Sequence, residues 1–343
     1  MSKTIAFRCD ASSTIGFGHL VRCMALANEL REGHDCRTVF LVRPDASTQA
    51  KLAESSQEFI LLPEFNSQDD YRESLRKILI ELEAKSLVVD VRDDLSSDTL
   101  RSLKQEKVKI IIIDDGSERR LAADLAFYPP VPQAKALDWA GCDGKIYCGW
   151  EWVLLRRQFA SIPARYPNQV PHILIAMGGS DPSGFTLMAI AALNKVKDDF
   201  SATVIIGPGF TGKSQLKEII ADSRKNIKVL EKVEDMVSIM LRTDLALAAF
   251  GMTAYELAAS GVPAFHFCLS PDHAISATTF ADSGIAYSFG HNNSLQLSDV
   301  VSKIDAFLSD RNLLREMGLR SRQYIDGNGC KRISSLLINK REV

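Results

Sequence analysis

A histidine that follows two closely spaced glycines is the residue best suited to chemistry in this sequence. His19 comes directly after Gly16-Phe17-Gly18, between the apolar run Ile5-Ala6-Phe7 and a stretch in which apolar residues recur with helical period. This order predicts a strand, a glycine loop and a helix, with His19 in the first helical turn. The free N–H groups and partial positive charge of a helix start favour an anion and disfavour an imidazolium. His19 is therefore predicted to stay neutral and able to accept a proton.

Other interpretations of this segment remain open. A histidine in a glycine-rich turn between a strand and a helix can be a capping or packing residue with no catalytic role. The loop is not a P-loop, because no Gly-Lys-Ser/Thr follows it, and Val21 occupies the place of the third glycine in the dinucleotide fingerprint. ATP and NAD are thus poorly supported, and no cofactor is predicted.

Carboxylates end two apolar runs that have the character of buried parallel strands. Asp90 closes Leu87-Val88-Val89, and Asp114-Asp115 closes the run that begins at Lys109. Ligands bind at the carboxyl ends of the strands in an open α/β sheet, so these aspartates are candidate site residues. The alternative is that they only cap the turns or helices that follow.

A second glycine turn follows the predicted strand His172 to Met177. Gly178-Gly179-Ser180 stands before a predicted helix, of which Ser180 or Asp181 can be the N-cap and Pro182 the first residue. The double glycine also offers backbone amides to a phosphate. The two interpretations are compatible with each other.

A third turn, Phe250-Gly251-Met252-Thr253, follows the predicted strand Leu245 to Ala248 and leads into a short helix. Small residues at a helix start suit a diphosphate, and Glu256, one turn further, can accept hydrogen bonds from ribose hydroxyls. A single glutamate on a helix can also be merely solvated. After the next strand, Asp272-His273 opens another helix.

The composition narrows the class of protein. A net charge of -2 argues against a nucleic-acid binder. No apolar run reaches about 18 residues and the N-terminus enters a strand directly, so neither a membrane span nor a signal peptide is predicted, and a cytoplasmic location is expected. Seven irregularly spaced cysteines without a C-x-x-C pair, and six dispersed histidines, predict reduced thiols and no metal site.

The chain is long enough for two domains, each with its own core. Strands and helices alternate to about residue 160, where a linker with Pro163 and Pro167 begins, and a second series runs from about residue 170 to 343, ending in helices. The predicted fold class is α/β, with two Rossmann-like domains facing a cleft that holds a bisected ligand. This is the arrangement of the glycosyltransferase-B architecture.

Several motifs resemble one branch of that architecture. Phe7-Arg8-Cys9-Asp10, Ile15-Gly16-Phe17-Gly18-His19 and Arg22 are similar to the N-terminal signature of the UDP-2,4-diacetamido-2,4,6-trideoxy-β-L-altropyranose hydrolases of pseudaminic acid biosynthesis. The resemblance spans most of residues 1 to 285. Asp272-His273 stands where an amide-bearing pair is expected, and the residues beyond about Leu295 look like an extension. Like residues of the family fall at Asp90, Asp114-Asp115, Cys148-Gly149, Leu155-Arg156, Met177-Gly178-Gly179-Ser180-Asp181 and Glu256.

The resemblance implies that UDP binds mainly to the second domain, with Glu256 on the ribose. It also implies metal-independent hydrolysis of the sugar C1–O bond with inversion, with His19 as general base and Asp10 orienting its imidazole. The free sugar would serve nonulosonate synthesis for surface glycans. The residues expected to contact substrate are Gly16, Phe17, Gly18, Arg22, Asp90, Gly178, Gly179, Ser180, Phe250, Gly251, Met252, Thr253, Glu256, Asp272 and His273.

Two other functions compete with hydrolysis. In a UDP-sugar-dependent glycosyltransferase of the same architecture, His19 would activate an acceptor hydroxyl instead of water. A non-catalytic nucleotide-sugar binding subunit would hold UDP and release none from a UDP-sugar. A non-hydrolysing epimerase is less well supported, because its motifs are not matched. In each case the expected ligand is a small UDP-sugar, and a monomer is favoured.

Overall fold

The chain forms two units, each built on its own parallel sheet. The structure is a computed structural model that describes residues 3–12, 16–163, 165, 167–231, 233, 235–291 and 295–338. The first unit comprises Met1–Arg157 together with Gly327–Val343, and the second comprises Gln158–Asp326. The α/β class with two Rossmann-like domains is therefore confirmed. The sequence had assigned the last helix to the second domain, whereas it groups with the first unit.

In the described part of the first unit the sheet order is β3-β2-β1-β4-β5-β6-β7, and in the second it is β10-β9-β8-β11-β12-β13. All neighbouring pairs are parallel. The strands are β1 Thr4–Cys9, β2 Arg37–Val42, β3 Glu58–Leu61, β4 Ser86–Asp90, β5 Lys109–Ile113, β6 Leu125–Tyr128, β7 Lys145–Cys148, β8 His172–Ala176, β9 Ser201–Ile206, β10 Asn226–Glu231, β11 Leu245–Ala249, β12 Ala264–Phe267 and β13 Ala286–Ser288.

Helices connect most of these strands. They are α1 Gly18–His34, α2 Ala46–Glu54, α3 Gln68–Glu81, α4 Ser97–Gln105, α5 Pro132–Lys135, α6 Phe185–Leu193, α7 Lys213–Ala221, α8 Met236–Leu241, α9 Met252–Ala259, α10 Pro271–Asp282, α11 Leu297–Ser309, α12 Arg311–Tyr324 and α13 Gly329–Ile338. Within the described ranges, none is both long and apolar enough to cross a membrane.

The helix that carries His19 is fixed by packing on two sides. Its apolar residues Leu20, Cys23, Leu26 and Leu30 are buried and recur at helical spacing, so one face of α1 meets the sheet. Cys330, Ile333 and Leu337 of α13 join the same cluster, although about 300 residues separate the two helices. The end of the chain thus supports the helix on which the predicted base lies.

Candidate active site

The residues predicted to do chemistry in the first unit meet where the strand order reverses. β1 lies between β2 and β4, and Cys9, the last residue of β1, pairs in register with Asp90, the last residue of β4. α1 leaves the carboxyl end of β1 and begins at Gly18. A ligand crevice is expected at such a switch point, because the connections on either side run to opposite faces of the sheet.

His19 and Asp90 form a close pair at this point. Nδ1 of His19 lies 2.6 Å from Oδ1 of Asp90, and Asp90 is fully buried whereas the His19 side chain is 19% exposed. A carboxylate can only accept, so Nδ1 must carry the proton that joins the two groups. In the neutral imidazole, Nε2 is then the nitrogen without a proton and is able to accept one from a bound reactant.

Arg22 binds the other side of the same carboxylate. Its Nε lies 2.6 Å from Oδ2 of Asp90 and its NH2 group 2.7 Å from Oδ1, while NH1 donates to Oδ2 of Asp114 at 2.9 Å. NH2 also lies 3.1 Å from Nδ1 of His19, but a protonated Nδ1 cannot accept from it. Arg22, predicted to contact substrate, is therefore committed to two carboxylates, one of which orients His19.

The buried charges of this cluster stabilise each other. Burial opposes the ionisation of Asp90, but the charge and hydrogen bonds of Arg22, assisted by His19, hold the pKa of that carboxyl well below its usual range. Burial raises the pKa of the Cys23 thiol, whose Sγ lies 3.5 Å from Oδ2 of Asp90. Asp90 is thus an anion held by donors on both sides.

Asp10, predicted to orient the imidazole, is engaged elsewhere. Its Oδ2 lies 2.5 Å from NH2 of the fully buried Arg8, and its Oδ1 accepts from the backbone N–H of Arg43 at 3.0 Å. Arg8 also binds Asp93 at 2.6 Å. Arg8 and Asp10 are two residues apart and so share a side of the extended chain. The structure places Asp90, not Asp10, against His19.

The glycine loop leads into α1 with a phenylalanine at the N-cap position. Gly16 has a φ of +82°, which favours glycine, and its N–H donates to the carbonyl oxygen of Ser12 at 2.9 Å. Phe17 stands at the N-cap position, with no side-chain cap and no acidic residue in the first turn. The predicted strand and helix are present, joined through Gly16 and Phe17. Residues 13–15 lie outside the described residues, and they include Ile15 of the predicted N-terminal motif. Anion binding by the Gly18 and His19 amides stays a prediction.

In the second unit, the helix after β8 begins differently from the prediction. Gly178, Gly179 and Ser180 are exposed in a turn, but α6 begins at Phe185, three residues after Pro182. The Asp181 carboxylate accepts from the backbone N–H groups of Phe185 and Thr186 at 2.9 and 2.7 Å. Asp181 thus occupies the first two amides of the helix, but the N-cap position is Gly184, so the predicted N-cap at Ser180 or Asp181 and the predicted first residue Pro182 are wrong. Phosphate binding by the double glycine stays a prediction.

The turn after β11 leads into α9 with a glycine at the N-cap position, which has no side chain of its own to cap the helix. Gly251 is the N-cap of α9 and a Cβ atom there would meet nothing within 4 Å. Met252 and Thr253 are partly exposed, and Glu256 is buried rather than solvated. The ring of Phe250 is 6% exposed and packs against Tyr255, His266, His273 and Phe280, and its predicted contact with substrate stays a prediction.

The third predicted helix start contains Asp272 and His273. α10 begins at Pro271, and the Ser270 side chain accepts from the N–H of His273 at 3.1 Å. Asp272 is exposed and His273 is half-buried, with burial lowering the pKa of its imidazole. The helix start is confirmed, and the contact of both residues with a sugar stays a prediction.

His266 was not among the residues singled out from the sequence. It is fully buried on β12, neither ring nitrogen has a hydrogen-bond partner among the described residues, and burial lowers its pKa to about 3. The sequence does contain a signal for its burial, because His266 lies within an apolar strand between Phe265 and Phe267, whose side chains face the opposite side of the sheet. It is a neutral packing residue of the second unit.

A further glycine-rich segment follows β9. The eight residues that begin at Gly207 read GPGFTGKS, which matches the letters of a P-loop. However, the N–H of Gly209 donates to Gly179 and that of Phe210 to Gly207, and Lys213 pairs with Glu231. A Cβ at Gly207 would lie 2.4 Å from the Gly179 backbone. These glycines therefore allow two loops to touch, and two amides that a P-loop would turn toward phosphate are already bonded.

No family model matches the chain, and the solved structures give its fold. MurG from Acinetobacter baumannii superimposes with a TM-score of 0.74 at 18% identity, covering 97% of this chain and 99% of that one. The MnaA–UDP structure from Staphylococcus aureus has a TM-score of 0.68 at 13% identity, covering 99% of both chains. The chain therefore has the glycosyltransferase-B fold. In the described part of the chain, no group of three His, Cys, Asp or Glu residues could hold a metal ion.

Three proteins are similar in sequence. The spore coat polysaccharide biosynthesis protein SpsG of Bacillus subtilis is 24% identical over 336 residues, 96% of each chain. The UDP-2,4-diacetamido-2,4,6-trideoxy-β-L-altropyranose hydrolase of Campylobacter jejuni is 24% identical over 245 residues, covering 69% of this chain and 81% of its own length. The uncharacterised protein MJ1062 of Methanocaldococcus jannaschii is 27% identical over 271 residues, which are 76% of this chain but 54% of that protein.

Proposed function

We propose that this protein is an enzyme acting on a nucleotide sugar, and that it hydrolyses the sugar C1–O bond of UDP-2,4-diacetamido-2,4,6-trideoxy-β-L-altropyranose with inversion. The observation that carries the proposal is the pairing of His19 with buried, anionic Asp90 at the switch point of the first sheet. The choice of sugar is supported by the similarity to the Campylobacter hydrolase.

The chemistry follows from the state of the imidazole. Nε2 of His19 removes a proton from a water molecule, the water oxygen bonds to C1, and the electrons of the C1–O bond leave with the β-phosphate oxygen of UDP. Asp90 stabilises the imidazolium that forms. A positioned base of this kind contributes roughly 10²–10⁴-fold to the rate.

The second unit supplies a place for UDP in this proposal. The N-cap of α9 is Gly251, which has no side chain of its own and has open space where a Cβ atom would lie, so the start of this helix is suited to charge on a diphosphate. Glu256 lies one turn further and is proposed to bind the ribose. UDP is a good leaving group, and amide donors can take up the charge that develops on it, so the reaction is proposed to need no metal.

A glycosyltransferase is the second candidate, and it fits the fold that this chain shares with the spinosyn rhamnosyltransferase SpnG. His19 would then remove the proton of an acceptor hydroxyl, with the same Asp90 partner. The similarity to a spore coat polysaccharide biosynthesis protein fits this function equally well.

The test is incubation of the whole chain with the UDP-sugar and EDTA, without acceptor, while proton NMR follows the anomeric signals. We expect UDP and free sugar to appear, with the inverted anomer formed first. If the UDP-sugar binds but stays intact, the proposal that the protein hydrolyses it is wrong. If UDP is released only after an acceptor is added, the protein is a glycosyltransferase. Calorimetry with UDP, run in parallel, shows whether the protein binds nucleotide at all.

A further inference from the structure

Asp114 makes a contact that the proposed reaction has not yet used. It follows β5, and its Oδ2 lies 2.9 Å from NH1 of Arg22. The side chains become more exposed from Asp90 to Arg22 to Asp114: Asp90 is buried, Arg22 is 11% exposed and Asp114 is 29% exposed. Opposite charges thus alternate from Asp90, the carboxylate bonded to His19, through Arg22 to Asp114.

The backbone at Asp114 is held in an uncommon conformation. Its φ is +51°, in the left-handed region that residues with a Cβ seldom adopt. The N–H of Asp114 donates to the carbonyl oxygen of Phe127, and its own carbonyl oxygen accepts from NH2 of Arg92, each at 2.9 Å. Conformations of this kind persist where the surroundings fix them, and they cluster at functional sites.

Asp115, the next residue, also has a carboxylate, but it does not contact the His19 cluster. Asp115 is buried, and its Oδ2 lies 2.7 Å from Nε of Arg119. Asp114 is the partly exposed member of the pair, and it is the one that reaches the His19 cluster.

We propose that Asp114 is a positioning residue that, through Arg22, holds Asp90 against His19 and favours proton uptake by the imidazole. This inference rests on the proposed function, because it assigns His19 as the base. Two carboxylates and one guanidinium leave one negative charge in the cluster, which a protonated imidazole neutralises. Asp114 also holds NH1 of Arg22 away from the imidazole, so that NH2, already 3.1 Å from Nδ1, comes no closer.

The groups that act on His19 come from three elements. α1 contributes Arg22 and the Cys23 thiol, which its raised pKa keeps neutral, β4 contributes Asp90, and the segment after β5 contributes Asp114. Arg92 reaches the Asp114 carbonyl from the exposed side. Loss of the Asp114 charge leaves Arg22 less neutralised, which disfavours a second positive charge on His19.

The test is Asp114→Asn, because asparagine tolerates the left-handed conformation and differs mainly in charge. Asp35→Asn is the matched control, since Asp35 has a φ of +52°, is exposed and lies at the far end of α1. The pKa of His19 is measured by NMR titration of its ring signals, assigned by their loss in His19→Gln. The pH profile of kcat/KM is recorded for the same proteins.

We expect Asp114→Asn to lower the pKa of His19 by roughly half a pH unit and to move the acid limb of the profile by the same amount. Asp35→Asn should move neither. An unchanged His19 titration in a folded Asp114→Asn protein would overturn the inference. The titration needs no turnover, so a shift in a protein that does not hydrolyse the sugar nucleotide supports the coupling while the proposed function fails.

Discussion

Nδ1 of His19 lies 2.6 Å from Oδ1 of Asp90, a residue 71 positions further along the chain. The pair forms because α1 starts at the carboxyl end of β1 and Asp90 ends the neighbouring strand β4. Arg22, one helical turn after His19, binds the same carboxylate from the other side. The arrangement fixes both the orientation of the imidazole and the nitrogen that carries its proton.

Removal of the imidazole should abolish most of the catalysis while nucleotide binding remains. In His19→Ala we expect turnover of the UDP-sugar to fall roughly 10²–10⁴-fold, because no group is left to remove the proton from water. The dissociation constant for UDP, measured by calorimetry, should stay close to the wild-type value. His291→Ala, which changes an exposed histidine of the second unit, is the control. A near-native rate in His19→Ala would assign the base to another residue.

Asp90 and Asp10 can be separated by a pair of matched variants. In Asp90→Asn, Arg22 keeps Asp114, and in Asp10→Asn, Arg8 keeps Asp93, so each variant leaves an arginine with a remaining carboxylate. Only Asp90→Asn removes the anion that stabilises the imidazolium.

We therefore expect both variants to lower the free energy of unfolding, but only Asp90→Asn to lower kcat by roughly 100-fold or more at unchanged UDP affinity. Urea unfolding and steady-state kinetics measure the two effects. Equal loss of kcat in both variants would contradict the assignment of Asp90 as the partner of His19.

Glu256 should contribute to nucleotide affinity. A buried carboxylate can accept strong hydrogen bonds from hydroxyls, so Glu256→Gln should weaken UDP binding about tenfold, which is about 1.4 kcal/mol. Calorimetry with UDP gives the dissociation constant. Glu231→Gln changes an exposed glutamate of the same unit, paired with Lys213, and should have no effect. Identical affinities in the two variants would remove Glu256 from the nucleotide site.

The second unit should lose stability in mild acid because of His266. Burial lowers its pKa to about 3 in the folded protein, against about 6.5 when unfolded, so below pH 6.5 the unfolded chain binds a proton that the folded chain does not. The free energy of unfolding therefore falls by at most about 1.4 kcal/mol per pH unit between these values. The pKa values of His172 and His273 are also lowered, and act in the same direction.

Hydrogen exchange at the backbone amides of β11 and β12 measures the stability of the second unit separately from that of the first. Between pH 7 and 5, the free energy of unfolding obtained from exchange should depend less on pH in His266→Phe than in the wild type. In His291→Phe this pH dependence should be the same as in the wild type. Should phenylalanine be too large to fold, His266→Leu tests the same point. An equally steep loss of protection without His266 would show that other groups titrate.

The sequence predicted most strands of the two sheets because they are continuous apolar runs. β7 and β13 were missed: Lys145–Cys148 is a largely exposed edge strand among glycines, and β13 has three residues. Both lack the apolar run that marked the others. The sequence also predicted Asp90 and Asp114 at strand ends and His19 in the first turn of a helix, but their pairing depends on strand order and register.

Other differences have local causes. Phe250 was predicted to contact substrate as part of the turn before α9, and its ring packs in an aromatic cluster that includes residues of β12 and α10. Asp10 was expected near His19 because both flank the glycine loop, yet Arg8 on the same side of the strand binds it first. The packing of Phe250 depends on residues far away in the sequence, and the ion pair of Asp10 depends on the residue two positions before it.

The return of α13 to the first unit has a consequence for the order in which the protein acquires its structure during synthesis. All strands of the first sheet, and the whole of the second unit, are translated before Cys330, Ile333 and Leu337. Until then the face of α1 that these residues cover is open to water, together with apolar surface that other nascent chains can bind. The helix bearing His19 is thus among the first helices translated, but its packing is completed only by the last one described.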